Sequence, residues 1–398
     1  MQDIILIDID RDHLLPIVFT RPIGDIRVGI LTIKEKWQKY TNANIFLYTT
    51  EYLQNKYSLP QTTDETIWID ARILPDKGLV KEILKLDKDQ ILINNGAFVA
   101  VRTKNYSKEL INNNIQNNIN YQIYNGQIKL IQRTWDIFSF NGEEINKDFE
   151  LLTHNRQSEA IPDYVFTKRK DKIFLEKGVK LSVCSLDAEQ GNIYLGENSE
   201  IMDFAVIKGP LSLGEYSQIK AGAKIYGNTT IGPHCKIGGE VNNVVFQAYS
   251  NKAHDGFMGN AFIGEWCNIG ADTNNSNLKN TYDKIQMWNY ALDRYENTGL
   301  QFAGLIMGDH TKLGINTMLN TGTVIGCSCN IFGAGFPRTF IPSFRWGGAS
   351  GFKIYNFDQA INTAKNMMMR REITITSLDI EILKYIFELE YNRSEIHK

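Results

Sequence analysis

The chain has 398 residues, 43% of them hydrophobic and 22% charged, a size and balance that bury large cores and divide into two or three domains. A formal net charge of −2 excludes an overall basic field for holding a nucleic-acid backbone, so phosphate binding would be local and the expected partner is a small molecule. No membrane-length apolar run occurs and the opening MQDIILIDIDRDH lacks the apolar core of a signal peptide, which gives the expectation of a cytoplasmic protein with no membrane partner.

Up to about residue 160, apolar runs at 4–7 (IILI), 44–48 (NIFLY), 66–69 (TIWI) and 90–93 (QILI) alternate with helix-like segments, clearest in RVGILTIKEKWQKY and LVKEILKL. That alternation predicts an α/β domain with a largely parallel, Rossmann-like sheet over residues 1–160. The stretch IPDYVFTKRKDK, residues 161–172, reads as a charged linker.

From residue 195 the pattern changes to a step of six. Leu195, Ile201, Ile207, Leu213, Ile219, Ile225, Ile231 and Ile237 keep it without exception, Ile263 and Ile269 repeat it, and Met307, Leu313, Leu319, Ile325 and Ile331 resume it. Four places after most of these stands a small residue, as at Ser199, Ser217, Ala223, Cys235, Cys267, Thr311, Thr317 and Cys329. A six-residue unit with an inward aliphatic and a tight corner is the pattern of a parallel β-helix, three units to a coil, with coils stacked at strand spacing. The solenoid is expected over residues 173–345, with interruptions at 240–256 and 274–304 pushed out as loops. On this count Phe257, Ile263 and Ile269 hold the interior, and Lys252, His254 and Asp255 fall in the first loop.

Residues 346–398 are expected to form a helical cap. SLDIEILKYIFELEY places apolar residues at helical spacing behind a serine, and a second helix is predicted over 358–371. Such a cap covers the open strand edges of the last coil. The five cysteines form no CxxC pair, and three of them fall at packing positions of the repeat, so no disulfide framework is expected.

With the coils and the motif KAHDGFMGNAFIGEWCNIGADT in view, the second half resembles the acetyltransferase domain of the bifunctional N-acetylglucosamine-1-phosphate uridylyltransferase/glucosamine-1-phosphate acetyltransferase family. The matching positions are Lys252 with Ala253, His254, Met258 with Gly259, Asn268 to Thr273, and Asn277. The resemblance implies a left-handed β-helix, a homotrimer, and acetyl-CoA as co-substrate. It also implies transfer of the acetyl group to the amine of an amino-sugar phosphate. His254 would be the catalytic base, and Lys220, Lys252, Asn268 and Asn277 would bind substrate. The chemistry suits these residues, because an ammonium must lose a proton before it attacks a thioester and imidazole accepts one near neutrality. Two positions depart from the family: Phe257 stands where an aromatic hydroxyl is usual, and Gly238 or Gly239 where a second phosphate-binding lysine is usual.

The first half, through RDHLLPIVFTRPIGDIRVGILTIKEKW, is similar to the opening of sugar nucleotidyltransferases. That implies a second activity, nucleotidyl transfer from a nucleoside triphosphate to the sugar 1-phosphate on a route to a UDP-N-acetylglucosamine-type product. Arg21, Arg27 and Lys36 would contact phosphate, with Mg2+ as the accompanying ion. The family's glycine-rich turn is replaced by IDIDRD, and its metal-binding Gly-Asp appears as Gly96 with Ala97.

Two other function classes bear comparison. A zinc hydratase on the same solenoid needs three converging histidines, and His234, His254 and His310 lack the spacing, so no metal site is expected. His234 and His310 fall at corners of the repeat and are expected to be structural. A non-catalytic solenoid for binding or assembly, with an inactive nucleotidyltransferase half, predicts an uninterrupted repeat. This chain instead gathers its histidine and asparagines at the interruptions.

Overall fold

In the computed structural model, which describes residues 2–117 and 119–396, the run at residues 4–7 becomes the inner strand Asp3–Ile7. It pairs in parallel with Asn44–Tyr48 on one side and Ile67–Asp70 on the other. The six-stranded sheet continues through Ala97–Arg102, Ile91–Asn94 and Tyr121–Ile123, and only Ala97–Arg102 runs against the other five. Ile4, Ile5 and Leu6 are fully buried, as expected of a strand covered on both faces. The helix read from residue 27 starts later, at Ile33. Thr32 and Glu35 form a reciprocal capping box there, and the indole of Trp37 then donates to the Ile73 carbonyl at 3.0 Å.

The chain divides into two compact units: Met1–Arg11, Arg21–Ile26 and Leu31–Gln132 form one, and Asp12–Thr20, Arg27–Ile30 and Arg133–Lys398 the other. The helix Thr134–Thr153, expected within a first domain of residues 1–160, lies in the solenoid unit, as do two short pieces of the N-terminal segment. Buried polar side chains explain why. Asn141 accepts from Gly29 N at 2.8 Å and donates to Asn228 O at 2.7 Å, while Asp148 accepts from Ile30 N at 2.8 Å. The helix lies so close to the coils that a Cβ on Gly142 would stand 1.9 Å from Asn228 Oδ1.

Residues 161–172, expected as a linker, already belong to the solenoid. Phe166–Lys168 pairs with Ser185–Asp187, and Ile161 and Val165 enter the solenoid core. From there the coils present three faces. Interior residues stack as Leu195, Leu213, Ile231, Phe246, Ile263, Met307 and Ile325 on the first. The second carries Ile201, Ile219 and Ile237, and the third Ile207, Ile225 and Val241. All of these are buried, and regular coils repeat after eighteen residues. The small corner residues are buried too, and several bridge coils: Ser217 Oγ accepts from Cys235 N at 2.8 Å and donates to Gly232 O at 2.7 Å. Ser250 and Thr311 repeat the device. The five cysteines are free and buried.

The corner between the first and second faces is a column of left-handed residues: Asn198, Tyr216, His234, Tyr249, Trp266, His310, Ser328 and Phe344, with φ between 52 and 60°. Each such residue without glycine costs on the order of 1 kcal/mol. Stacking offsets that cost here, since the rings of Tyr216, His234, Tyr249 and Trp266 lie 4.3 to 5.1 Å apart and within 14° of parallel. His234 and His310 stand in this column as structural corner residues.

The two interruptions differ in kind. Of the interruption at 274–304, Asn274–Asn275 stays in the stack, paired with Met318–Leu319, and the chain leaves the coil after it; the expelled segment holds the antiparallel hairpin Gln286–Asn289 with Arg294–Asn297. Residues 240–256 do not form a loop, which corrects the sequence expectation. Strands Glu240–Phe246 and Phe257–Ile263 run straight from the third face into the first with one residue fewer, and the corner from Ile237 to Val241 is two residues short, so the coil from Ile237 to Lys252 shortens to fifteen. Met258, paired with Val241, therefore takes the interior place assigned to Phe257, which is partly exposed.

The C-terminal region also departs from a simple cap. The hairpin Arg345–Gly348 with Gly351–Ile354 ends the second face. Helices Phe357–Met369 and Ser377–Ile396 follow. Glu390 of the second helix accepts from Ser343 N at 3.0 Å in the last coil, but Arg371, between the helices, reaches Asn251 Oδ1 at 3.1 Å several coils back. The helices run along the stack as well as covering its end. Among the described residues no helix is long and apolar enough to cross a membrane.

Gly142 gives a direct test of the helix seating. An alanine at an exposed helical glycine stabilises by up to about 1 kcal/mol. Gly142→Ala is expected to lower the thermal midpoint instead, and a raised midpoint would contradict the close approach.

Candidate active site

Residues 252–259 form the corner between the second and third faces. Lys252 pairs with Ile237, so its side chain stands in the interior stack between Ile237 and Ile269 rather than in a loop. It is 1% exposed. A buried ammonium must be hydrogen-bonded to be tolerated. Its Nζ donates to Gly238 O at 3.1 Å and to His254 O at 2.8 Å. Burial pushes the Lys252 amine down to about 8, against the opposing pull of Asp255 and Asp272. Lys252, expected to bind substrate, is thus an internal brace that fixes the carbonyl of His254.

The far side of the corner is held by two asparagines that the sequence pattern does not single out. Asn274 Oδ1 accepts from Phe257 N at 2.6 Å. Asn275, in register with Leu319 and 1% exposed, accepts from Gly259 N at 3.0 Å and donates to Gly259 O at 2.9 Å. Asn274–Asn275 is not paired strand to strand with Phe257–Ile263; side-chain amides take the place of the backbone ladder between these coils. Between the two braces Gly256 turns with φ of 113°, and a Cβ there would meet Thr273 O at 2.2 Å. A left-handed turn that close to the next coil requires glycine.

His254 and Asp255 are exposed at the tip of this corner, and Asp272, whose N–H bonds to Asp255 O at 3.0 Å, is exposed one coil on. Asn268 is exposed on the outer side of the second face, paired with Asn251. Lys220 is half-buried, its Nζ 3.1 Å from Gln218 Oε1, in the same row of the wall as Gly238. A Cβ on Gly238 would lie 3.2 Å from Lys220 Cβ. The strip of wall from Lys220 through Gly238 and Ala253 to His254 therefore carries only small residues between its two ends. Asn277 is elsewhere: it donates to Asn260 Oδ1 at 2.8 Å at the root of the expelled segment. His234 does not compete as a base, because its ring is stacked in the corner column and burial pushes its pKa down.

The nucleotide-contact candidates divide between the two units. Arg21 and Lys36 belong to the α/β unit and are buried and engaged. Arg27 belongs to the solenoid unit, where its Nε donates to Gln247 O at 3.2 Å and its guanidinium also bonds Ile30 O. The turn IDIDRD is structural at Asp8, which accepts from Ile23 N at 2.9 Å and from Thr49 Oγ1 at 2.5 Å; burial raises its pKa to about 6. Nearby a cavity of about 330 Å³ is lined by Asp10, Asp70, Arg72, Tyr106 and Lys108 among others. Its two carboxylates are both taken by Arg72, at 2.7 Å each. That donor set does not fit a Mg2+ ion, and no cluster of His, Cys, Asp and Glu among the described residues could hold a metal.

A family model described as Sugar nucleotidyl transferase matches residues 4–157, less than half of the chain. No curated protein matches it. Among solved structures it is similar to the polySia-specific acetyltransferase NeuO, at 13% identity and TM-score 0.27 over 48% of this chain and 85% of that one. It is also similar to LpxA, a UDP-N-acetylglucosamine acyltransferase from Bacteroides fragilis 9343, at 14% identity and TM-score 0.26 over 57% and 96%. A third is a point mutant of AntD, an N-acyltransferase from Bacillus cereus in complex with dTDP and coenzyme A, at 14% identity and TM-score 0.24 over 52% and 90%. Likenesses at this level carry no argument about the site.

The buried lysine has a measurable signature. Its folded pKa lies below the ordinary 10.5, so between about 8 and 10.5 the unfolded chain binds more protons and stability rises with pH. Urea unfolding of the native protein and of Lys252→Met is expected to show the native protein gaining on the variant as pH is raised through that window. A constant difference would mean that the ammonium is not buried as described.

Proposed function

We propose that the solenoid half transfers an acetyl group from acetyl-CoA to the amine of an amino-sugar phosphate, with His254 as the general base. The observation that carries this reading is the treatment of one corner. The interior stack admits Lys252 on one face and Asn275 on the next, and both bond to the backbone on either side of His254, whose side chain remains exposed. Lys312 braces the His310 corner in a similar way, donating to Trp266 O and His310 O at 2.8 Å each, but it stands beside the interior stack rather than in it; among the described residues, only at the His254 corner do the braces replace aliphatic residues of the stack itself.

In this mechanism His254 takes a proton from the substrate ammonium, the free amine attacks the thioester carbonyl, and the C–S bond breaks to release the coenzyme A thiolate, which takes up the proton that the attacking nitrogen loses as the amide forms. Lys252 does not touch substrate; by holding the His254 carbonyl it fixes where the imidazole is presented. Lys220 and Asn268, two coils before His254 and one coil after it on the same wall, are the residues placed to meet the sugar phosphate. Asn277 is a support of the expelled segment in this reading. We take the working form to be a homotrimer, by the family resemblance.

Nucleotidyl transfer by the α/β half is a second reading, favoured by the family match over residues 4–157. The cavity beside Arg72 and Lys108 is its natural place, in preference to the buried Arg21 and Lys36.

Incubation with acetyl-CoA and a panel of amino-sugar phosphates, followed by free-thiol release, tests the first reading. One amine is expected to release thiol, and His254→Ala is expected to reduce the rate about 100-fold or more, in the range typical of a general base. Full activity in that variant, or no thiol release with any amine, would overturn it. Pyrophosphate on addition of a nucleoside triphosphate and sugar 1-phosphate would support the second reading, and its absence with all nucleotides would remove it.

A further inference from the structure

At the closed end of the solenoid unit a cavity of about 750 Å³ lies among the last coil, the expelled hairpin and the final helix. Its volume is in the range of small-molecule sites, and it shares no lining residue with the His254 corner. Three guanidiniums and two carboxylates face it. Arg393 is matched, at 2.9 Å to Asp293 and 3.6 Å to Glu390. Arg338 and Arg345 are not. Arg338 makes no hydrogen bond or ion pair among the described residues, and Arg345 reaches only the backbone carbonyls of Ser343 and Phe344, at 3.3 and 3.5 Å.

Two polar atoms of the wall also lack a hydrogen bond. Glu390 is 1% exposed, and while its Oε2 accepts from Ser343 N, its Oε1 has only the 3.6 Å ion pair with Arg393. Trp288, stacked on Phe340 at 4.2 Å, buries an Nε1–H with no acceptor. Buried polar groups are nearly always hydrogen-bonded, and a buried carboxylate oxygen held only by a 3.6 Å ion pair has room for a further donor. The backbone turn Gly348–Gly351 adds a stretch of chain without bulky side chains to the same wall.

We propose that this cavity is a second small-molecule site, for a phosphate monoester of a polyhydroxylated compound such as a sugar phosphate. The phosphate lies on Arg338 and Arg345, which offer the planar donors that suit it. A hydroxyl of the sugar donates to Glu390 Oε1. Free phosphate satisfies the arginines but brings no hydroxyl to Glu390 Oε1, so the ester is the better occupant.

The test is calorimetric titration of the full chain with glucose 1-phosphate and, separately, with inorganic phosphate. Glucose 1-phosphate is expected to bind more tightly than phosphate. Arg338→Ala, at an exposed position where folding is not at risk, is expected to weaken it about tenfold or more, and Arg345→Ala likewise. Glu390→Gln should weaken the sugar phosphate and leave inorganic phosphate unchanged. Equal affinity for the two ligands, or unchanged affinity for the sugar phosphate in Arg338→Ala, would overturn the proposal. The latter outcome would place any binding at the His254 strip or in the α/β unit instead.

Discussion

Strand pairing from one coil to the next governs the solenoid half. Because every coil hydrogen-bonds to its neighbours at strand spacing, each interior residue must stack on the residue in the same place one coil away. Side chains that break the stack must therefore satisfy themselves within it. Lys252 does so through two carbonyls, and Asn275 through both backbone groups of Gly259. Neither could be moved a single position without leaving a buried charge or amide unpaired, which costs several kcal/mol. The stack thus converts two otherwise unfavourable residues into fixed points, and the exposed His254 lies between them.

The same constraint explains the form of the interruptions. A coil can lose residues and remain in the stack if a strand runs through a corner, as Glu240–Phe246 and Phe257–Ile263 do. It cannot gain many without expelling them, as happens after Asn275. Where the expelled segment leaves, asparagine amides span the gap that backbone pairing would have closed. The short coil and the expulsion occur within one turn of each other, and the candidate site is what they enclose.

Much of this is legible in the sequence. The step of six marks the interior from Leu195 to Ile237 residue by residue, and the small corner residues are where the spacing puts them. The count fails at the shortened coil, because a strand that skips a corner changes the step without leaving a compositional mark. Phe246, Lys252 and Met258 do keep a step of six, but a lysine does not look like an interior residue, and an aliphatic ruler points to Phe257 instead. Asn275, six places after Ile269, is hidden in the same way. The candidate phosphate contacts are a different case. Arg21, Arg27 and Lys36 are close in sequence, yet they divide between two compact units, and the burial of Arg21 and Lys36 carries no mark that the sequence shows.

The central claim is that the breaks in the aliphatic stack exist for the corner they hold and not for the fold. Lys252→Met restores an apolar residue to the stack while removing the bond to the His254 carbonyl. The most direct measurement is its rate of thiol release from acetyl-CoA with the preferred amine, in protein shown to be folded by its thermal transition. The account predicts a folded protein whose kcat/KM falls at least tenfold. A folded variant that transfers the acetyl group at the full rate would contradict it.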